Sequence, residues 1–160
     1  MARDRGLLLL RSLVRRAGLL AVVLLLATPA RADPRAVVEA VLGLRAEVPA
    51  EARTSDTLGT ERLGSGVLID GQGLVLTIGY LILEASAVDL YDAEGTRIPA
   101  EVVGYDHDTG LGLVRARAPL KARPVPLGRS ADVRIGDPLL VISRAGALGG
   151  RETKLADRRD

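Results

Sequence analysis

The chain has 160 residues, 48 % of them hydrophobic and 26 % charged, with a net charge of +2, one histidine and no cysteine. Lacking cysteine, it can form no disulfide, thiol nucleophile or thiolate metal site, and a single histidine leaves zinc without a ligand set. Three tyrosines and no Phe or Trp leave Val, Leu, Ile and Ala to fill a core, which favours a β-rich interior.

In chain order, a basic leader comes first. Arg3, Arg5, Arg11, Arg15 and Arg16 precede the apolar run Ala17 to Ala27, and Ala30-Arg31-Ala32 follows as an A-x-A pattern. These are the three parts of a secretory signal peptide, with cleavage expected after Ala32. The apolar run falls short of the roughly 20 residues a membrane span needs, so no stable span is expected once the signal is cleaved, and an uncleaved anchor is the alternative. Losing residues 1–32 removes six arginines and one aspartate and leaves 16 basic and 19 acidic residues in a mature chain of 128. No clustered basic footprint for nucleic acid survives in that part. Its length suits one small domain. The leader, with twenty arginines against two lysines, points to a bacterial periplasmic or secreted protein.

Ala36 to Leu44 (AVVEAVLGL) has helical spacing for about two turns, and Leu44 to Val48 alternates as a strand would before Pro49. Ala50 to Thr60 is polar and reads as a loop. Leu63–Ile69 and Leu74–Thr77 flank the Asp70-Gly71-Gln72-Gly73 turn and form a hairpin. Val88–Tyr91 and Arg97–Tyr105 form a second one around Asp92 to Gly95, with Pro99 near a strand start or on an edge. Leu111–Arg115 is a sixth strand. Pro119, Pro124 and Pro126 then mark an extended connector, Asp137–Ser143 begins another strand, and Arg151–Asp160 reads as a charged, solvated tail. The expected core draws on Val67, Ile69, Leu74, Leu76, Val88, Val102, Leu111 and Leu113.

Two runs carry a resemblance. GSGVLIDGQGLVLT, from Gly64, is followed by an apolar segment ending in Glu84-Ala85, and then by VGYDHDTGLGLVRA, from Val103. The stretch Leu63 to Ile142 resembles the first half of a trypsin-like serine protease of the HtrA/DegP type, whose pattern reads GSGxxID-xxGxxLTNxHVVxxA and then VGxDxxTDLAVLKV. The resemblance implies an all-β fold, an antiparallel six-stranded β-barrel of the two-barrel type with the second barrel largely missing. Taken with the leader and the spacing before it, the chain divides into a signal peptide at 1–32, a helix, strand and loop at 33–60 and the first barrel at 61–118. A connector with the first strand of an incomplete second barrel follows at 119–150, and the charged tail occupies 151–160. The Leu139–Ile142 strand is expected to lack most partners or to pair makeshift with the first barrel.

Serine protease chemistry needs a hydroxyl nucleophile, an imidazole base and a carboxylate that orients the base. By the resemblance, Tyr80 occupies the histidine slot and Gly110 the aspartate slot, and no G-x-S-G-G nucleophile run occurs in the sequence. A phenol with an ordinary pKa of about 10 stays protonated at neutral pH and makes a poor base, and glycine offers no side chain at all. Gly64-Ser65-Gly66 matches the family's strand start and not its nucleophile loop. His107, between Asp106 and Asp108, reads as an exposed loop histidine more readily than as a displaced base. Asp106-x-Asp108-x-Gly110 mimics the opening of a calcium loop, yet Arg117 stands where that loop requires Glu. Glu84, Asp89, Asp92 and Glu94 read as turn and strand-edge carboxylates. No cofactor and no metal are expected, and peptides or envelope proteins are the expected partners. Catalytic inactivity is therefore the expectation. The alternatives are a truncated or frameshifted relic of a protease gene and an active serine endopeptidase.

Overall fold

In a computed structural model that describes residues 33–158, six strands close into one antiparallel barrel and two more form a separate hairpin. The leader at 1–32, its cleavage site and the last two residues lie outside the described residues. Among the described residues, no helix is long and apolar enough to cross a membrane.

The first helix, α1 (Pro34–Glu39), is short for clear local reasons. Pro34 pre-sets the first helical position, and the Asp33 carboxylate caps it by accepting from Arg35 N–H at 3.0 Å. Helical spacing through Leu44 had predicted a longer helix. The chain instead turns at Ala40 and enters strand β1 (Val41–Glu47), because Leu42, Leu44 and Ala46 bury themselves in the barrel when extended. The barrel therefore begins at Val41, before the expected boundary at 61. The intervening loop also carries one helical turn, α2 (Ser55–Leu58).

The remaining barrel strands are β2 (Glu61–Leu68), β3 (Leu74–Ile78), β4 (Ala87–Tyr91), β5 (Arg97–Tyr105) and β6 (Leu111–Ala116), with a turn of helix, α3 (Gly79–Ile82), after β3. Their order around the barrel is β1-β2-β3-β6-β5-β4, and closure comes from β1 pairing with β4. Two tight turns set the hairpins. Asp70 accepts from the N–H groups of Gln72 and Leu74, and Asp92 accepts from those of Glu94 and Thr96.

The core corrects the expected set. Leu42, Leu44, Leu68, Val75, Val88, Leu90, Ile98 and Val114 are buried, and of the expected residues only Val88 is among them. Val67, Ile69, Leu74, Leu76 and Leu113 are half-buried on the opposite phase, while Val102 and Leu111 are exposed. A slip of one residue moves a whole strand to its other face, and β2 and β3 are apolar on both phases, so alternation could not choose. Close packing chose instead. A side chain at Gly64 would collide with Leu81, one at Gly66 with Val75 and one at Gly112 with Ile82, so these glycines mark the inner face. A bulge between Val102 and Gly104 leaves Val103 as the extra residue and turns both valines outward.

Beyond the connector, β7 (Pro138–Ser143) pairs antiparallel with β8 (Gly149–Lys154). β7 therefore pairs neither with the barrel nor makeshift. The expected charged tail at 151–160 contains most of β8. All six β8 residues are exposed, so no alternation was there to be read; the backbone ladder to β7 makes the strand.

Candidate active site

The segments that carry Tyr80 and Gly110 meet through Gly79. Gly79 N–H donates to the Gly110 carbonyl at 2.7 Å, which fixes the start of α3 against the turn leading into β6. Three glycines allow that approach. A side chain at Gly79 would run into the Tyr105 ring and the Gly110 carbonyl, and one at Gly112 would come within 3.2 Å of Gly79 Cα. Gly110 itself has φ +70°, a left-handed conformation that glycine adopts without strain. Tyr80 follows Gly79 and is 49 % exposed.

A buried arginine holds the turn beneath Tyr80. Arg62, 3 % exposed, donates from one guanidinium nitrogen to the carbonyls of Tyr80 at 2.6 Å and Leu83 at 2.9 Å. Its other terminal nitrogen donates to Thr54 Oγ1 at 2.7 Å, and Nε to the Gly59 carbonyl at 3.4 Å. Thr54 passes the link on, because its hydroxyl donates to Glu84 at 2.6 Å and its N–H donates to the same carboxylate at 2.8 Å. The Thr54 hydroxyl, with help from its N–H and from Arg53, holds the Glu84 carboxyl below the usual carboxylate range. Glu84 also has φ +61°, the only positive value outside glycine among the described residues. This cluster was not legible in the sequence. A lone Arg ahead of an alternating strand looks like any solvated residue, and Thr54 and Glu84 lie in segments read as a loop and a turn.

The remaining candidates have structural partners. Ser65 accepts from Arg144 N–H at its hydroxyl and from Thr77 Oγ1 at its carbonyl, so it ties strands together. His107 is exposed and meets the Tyr105 ring edge-on, with centroids 4.4 Å apart. Asp106 accepts from Thr109 Oγ1 and Asp108 N–H, contacts that pull its carboxyl below the usual range. Asp89 is buried and pairs with Arg97 at 2.8 Å. Burial pushes the Asp92 carboxyl up, but the hydrogen bonds from Thr96 and Glu94 outweigh it and leave it lowered. Glu94 is exposed. Each of the three shifted carboxyls, Glu84, Asp92 and Asp106, is thus shifted toward the charged form, opposite to the direction that makes a general acid. Among the described residues, no three His, Cys, Asp or Glu side chains are placed to hold a metal ion.

Two grooves lie elsewhere on the barrel side. One of about 350 Å³ runs between the Asp70–Gly73 turn and the connector at Ala116–Leu120, and one of about 290 Å³ lies between Leu44, Tyr91 and Arg144. Neither is lined by Tyr80 or Gly110.

Known proteins are similar to this chain in sequence and fold. The family profile described as "Trypsin-like peptidase domain" matches residues 64–158. Protease Do-like 1, chloroplastic, of Arabidopsis thaliana is 37 % identical over 86 residues, 53 % of this chain and 20 % of that protein. The periplasmic serine endoprotease DegP of Salmonella typhimurium is 32 % identical over 88 residues, 54 % of this chain and 18 % of its own length. The chain thus spans about a fifth of these curated relatives. A solved structure of the HtrA-type protease AlgW with tripeptide superposes with a TM-score of 0.65 at 22 % identity, over 77 % of this chain and 38 % of that one. With the profile covering more than half of its residues and the barrel matching in space, the chain belongs to the trypsin-like peptidase family, as a partial HtrA-type member.

Proposed function

We propose that this chain is a non-catalytic HtrA-type protein, a β-barrel that binds or scaffolds peptide segments without cleaving them. The observation that carries this reading is the pair of residues at the joined slots: a phenol at Tyr80 and no side chain at Gly110. A base and its orienting carboxylate are thereby both missing, and the nearby carboxylates are committed to turns and to the Thr54 link. Loss of triad members lowers rates by about 10⁴ to 10⁶ in measured systems. The leader pattern and the periplasmic relatives support a periplasmic or secreted location, where extended peptides or envelope proteins are the partners within reach.

The test is labelling of the purified chain with a fluorophosphonate serine probe, run beside hydrolysis of an unfolded protein substrate. No labelling and no hydrolysis are expected. Stoichiometric labelling of one serine, abolished by His107→Ala, would overturn the reading in favour of a rewired site. A pull-down from periplasmic extract with the same chain then identifies what the barrel holds.

A further inference from the structure

The segment at 50–59, between β1 and β2, is fastened to the barrel by polar contacts. Its neck is closed by Val48 N–H, which donates to the Thr60 carbonyl at 2.8 Å, so its ends lie together as in a compact surface loop. Within it only Ser55 is buried, and that hydroxyl is bonded inside the segment, to the carbonyls of Ala50 and Ala52. No buried apolar side chain anchors it. Among the described residues, every hydrogen bond it makes to the barrel beyond the neck ends on Arg62 or Glu84. A unit with so little buried apolar surface opens at a fraction of the global stability, so those two side chains decide whether it stays docked.

The two side chains act through one hydroxyl. Thr54 donates its N–H and its hydroxyl to the same oxygen, Oε2 of Glu84, while that hydroxyl accepts from Arg62. The same guanidinium holds the Tyr80 carbonyl in α3 and the Leu83 carbonyl just after it. Glu84 follows Leu83 directly, and its φ of +61° is a left-handed conformation that a glutamate keeps only under restraint. Two charged groups face the carboxylate: Arg53, exposed and 3.4 Å away on the segment itself, and Arg62 on β2, reached through the Thr54 hydroxyl. A charged acceptor makes the stronger hydrogen bond, so losing the charge weakens both Thr54 contacts at once. We propose that Glu84 is a proton-operated latch: its carboxylate docks the 50–59 segment, and protonation opens that segment and slackens the turn that carries Tyr80 while the barrel stays folded. The coupling to the turn follows from the geometry. When Thr54 leaves, a terminal nitrogen of the buried Arg62 loses its acceptor, and the guanidinium no longer has one fixed position from which to hold Tyr80 and Leu83. Glu84 is released at the same moment to relax its backbone, and that backbone continues from Leu83. The direction of the proton effect agrees, because the Thr54 hydroxyl first, and its N–H next, hold the carboxyl below the usual range. The latch is therefore fully closed above the ordinary carboxylate range and opens as pH falls through the lowered value.

Amide-resolved NMR of the full chain, titrated from about pH 7 to about pH 3, tests this. The Thr54 amide is expected to titrate with a midpoint below the usual glutamate value of about 4.3. Across that midpoint, protection from hydrogen exchange at Thr54 and Leu83 should fall about tenfold, with the β1 amides unmoved. Glu84→Gln keeps an acceptor but no charge, so at neutral pH it should already show the acid pattern, and its Thr54 amide should not titrate. Any response left in that variant belongs to Asp92 or Asp106, whose carboxyls are lowered as well. Thr54→Ser should keep the full response. Thr54→Val should split it: the amide at position 54 still follows Glu84, and Leu83 no longer does. General destabilisation would not separate the two. A Thr54 amide indifferent to acid overturns the proposal, as does a Glu84→Gln chain protected like wild type. So do β1 amides that lose protection together with the segment, or a Leu83 amide that still follows Glu84 in Thr54→Val.

Discussion

The barrel and the hairpin use the same element type to opposite effect. β7 reads Pro-Leu-Leu-Val-Ile-Ser and is more apolar than β5, which begins Arg-Ile-Pro-Ala-Glu. Yet β7 keeps Leu140 and Val141 more than half exposed, while β5 buries Ile98 to 6 %. Composition does not separate them. Closure does: each barrel strand has a neighbour on both sides and a common interior, and the hairpin, among the described residues, has one ladder and no second layer. Its hold on the barrel is concentrated in Arg144, whose N–H donates to Ser65 Oγ at 2.7 Å and whose Nε donates to the Val41 carbonyl at 2.7 Å.

That contrast can be pressed by substitution. Leu44→Ala should have the largest effect, costing about 3 kcal/mol, because it opens a cavity in a core that is packed from every side. Urea unfolding followed by far-UV circular dichroism would measure it; a loss below about 1 kcal/mol would mean that the barrel interior is not the main source of stability. Arg62→Ala should follow at about 2 kcal/mol, since it strands the Tyr80 and Leu83 carbonyls in a buried turn. Its signature would be faster amide exchange at α3 and the 54–59 segment, with the hairpin unchanged.

Acid should act on the barrel more gently. The Glu84, Asp92 and Asp106 carboxyls are all lowered in the folded state. Their contribution is fully present above the ordinary carboxylate range and is lost as pH falls through the depressed values, because the unfolded chain then binds protons more readily. Stability measured against pH should therefore be flat above about pH 5 and decline below it. A rise in stability on acidification would contradict these assignments. Leu148→Ala, at the half-exposed tip of the hairpin, should have the smallest effect, below about 0.5 kcal/mol. A cost comparable to that of Leu44→Ala would erase the distinction between the two regions.

Much of the barrel was legible in the sequence because its turns are chemically explicit. Asp70-Gly71 and Asp92 to Gly95 announce tight reversals whatever the strands do, and both hairpins stand where those residues place them. The inner face was not legible from alternation, since Gly66-Val67-Leu68-Ile69 and Leu74-Val75-Leu76 are apolar on both phases. The glycines at 64, 66 and 112 held that information, but their meaning depends on Leu81, Val75 and Ile82 arriving from elsewhere in the chain. β8 was missed for the opposite reason, because an exposed strand has no face to record. At the candidate site, Tyr80 and Gly110 could be aligned from flanking motifs, and the hydrogen bond that joins the two segments lies about thirty residues apart in sequence. The Arg62, Thr54 and Glu84 link is as non-local, and its members look like solvated residues until the turn is folded around them.

Arg62 grips the turn through the carbonyl oxygens of Tyr80 and Leu83, groups that every amino acid supplies. The path of the chain through this site is therefore set independently of which side chain stands at position 80, and that side chain is half in solvent. Selection for folding alone has no purchase on such a position. An imidazole could be exchanged there for a phenol, or a phenol for a designed binding group, with the barrel's stability left as it was. Chemistry at this corner can be lost or rewritten as a neutral change, which makes it a natural place for a protease scaffold to drift toward another use.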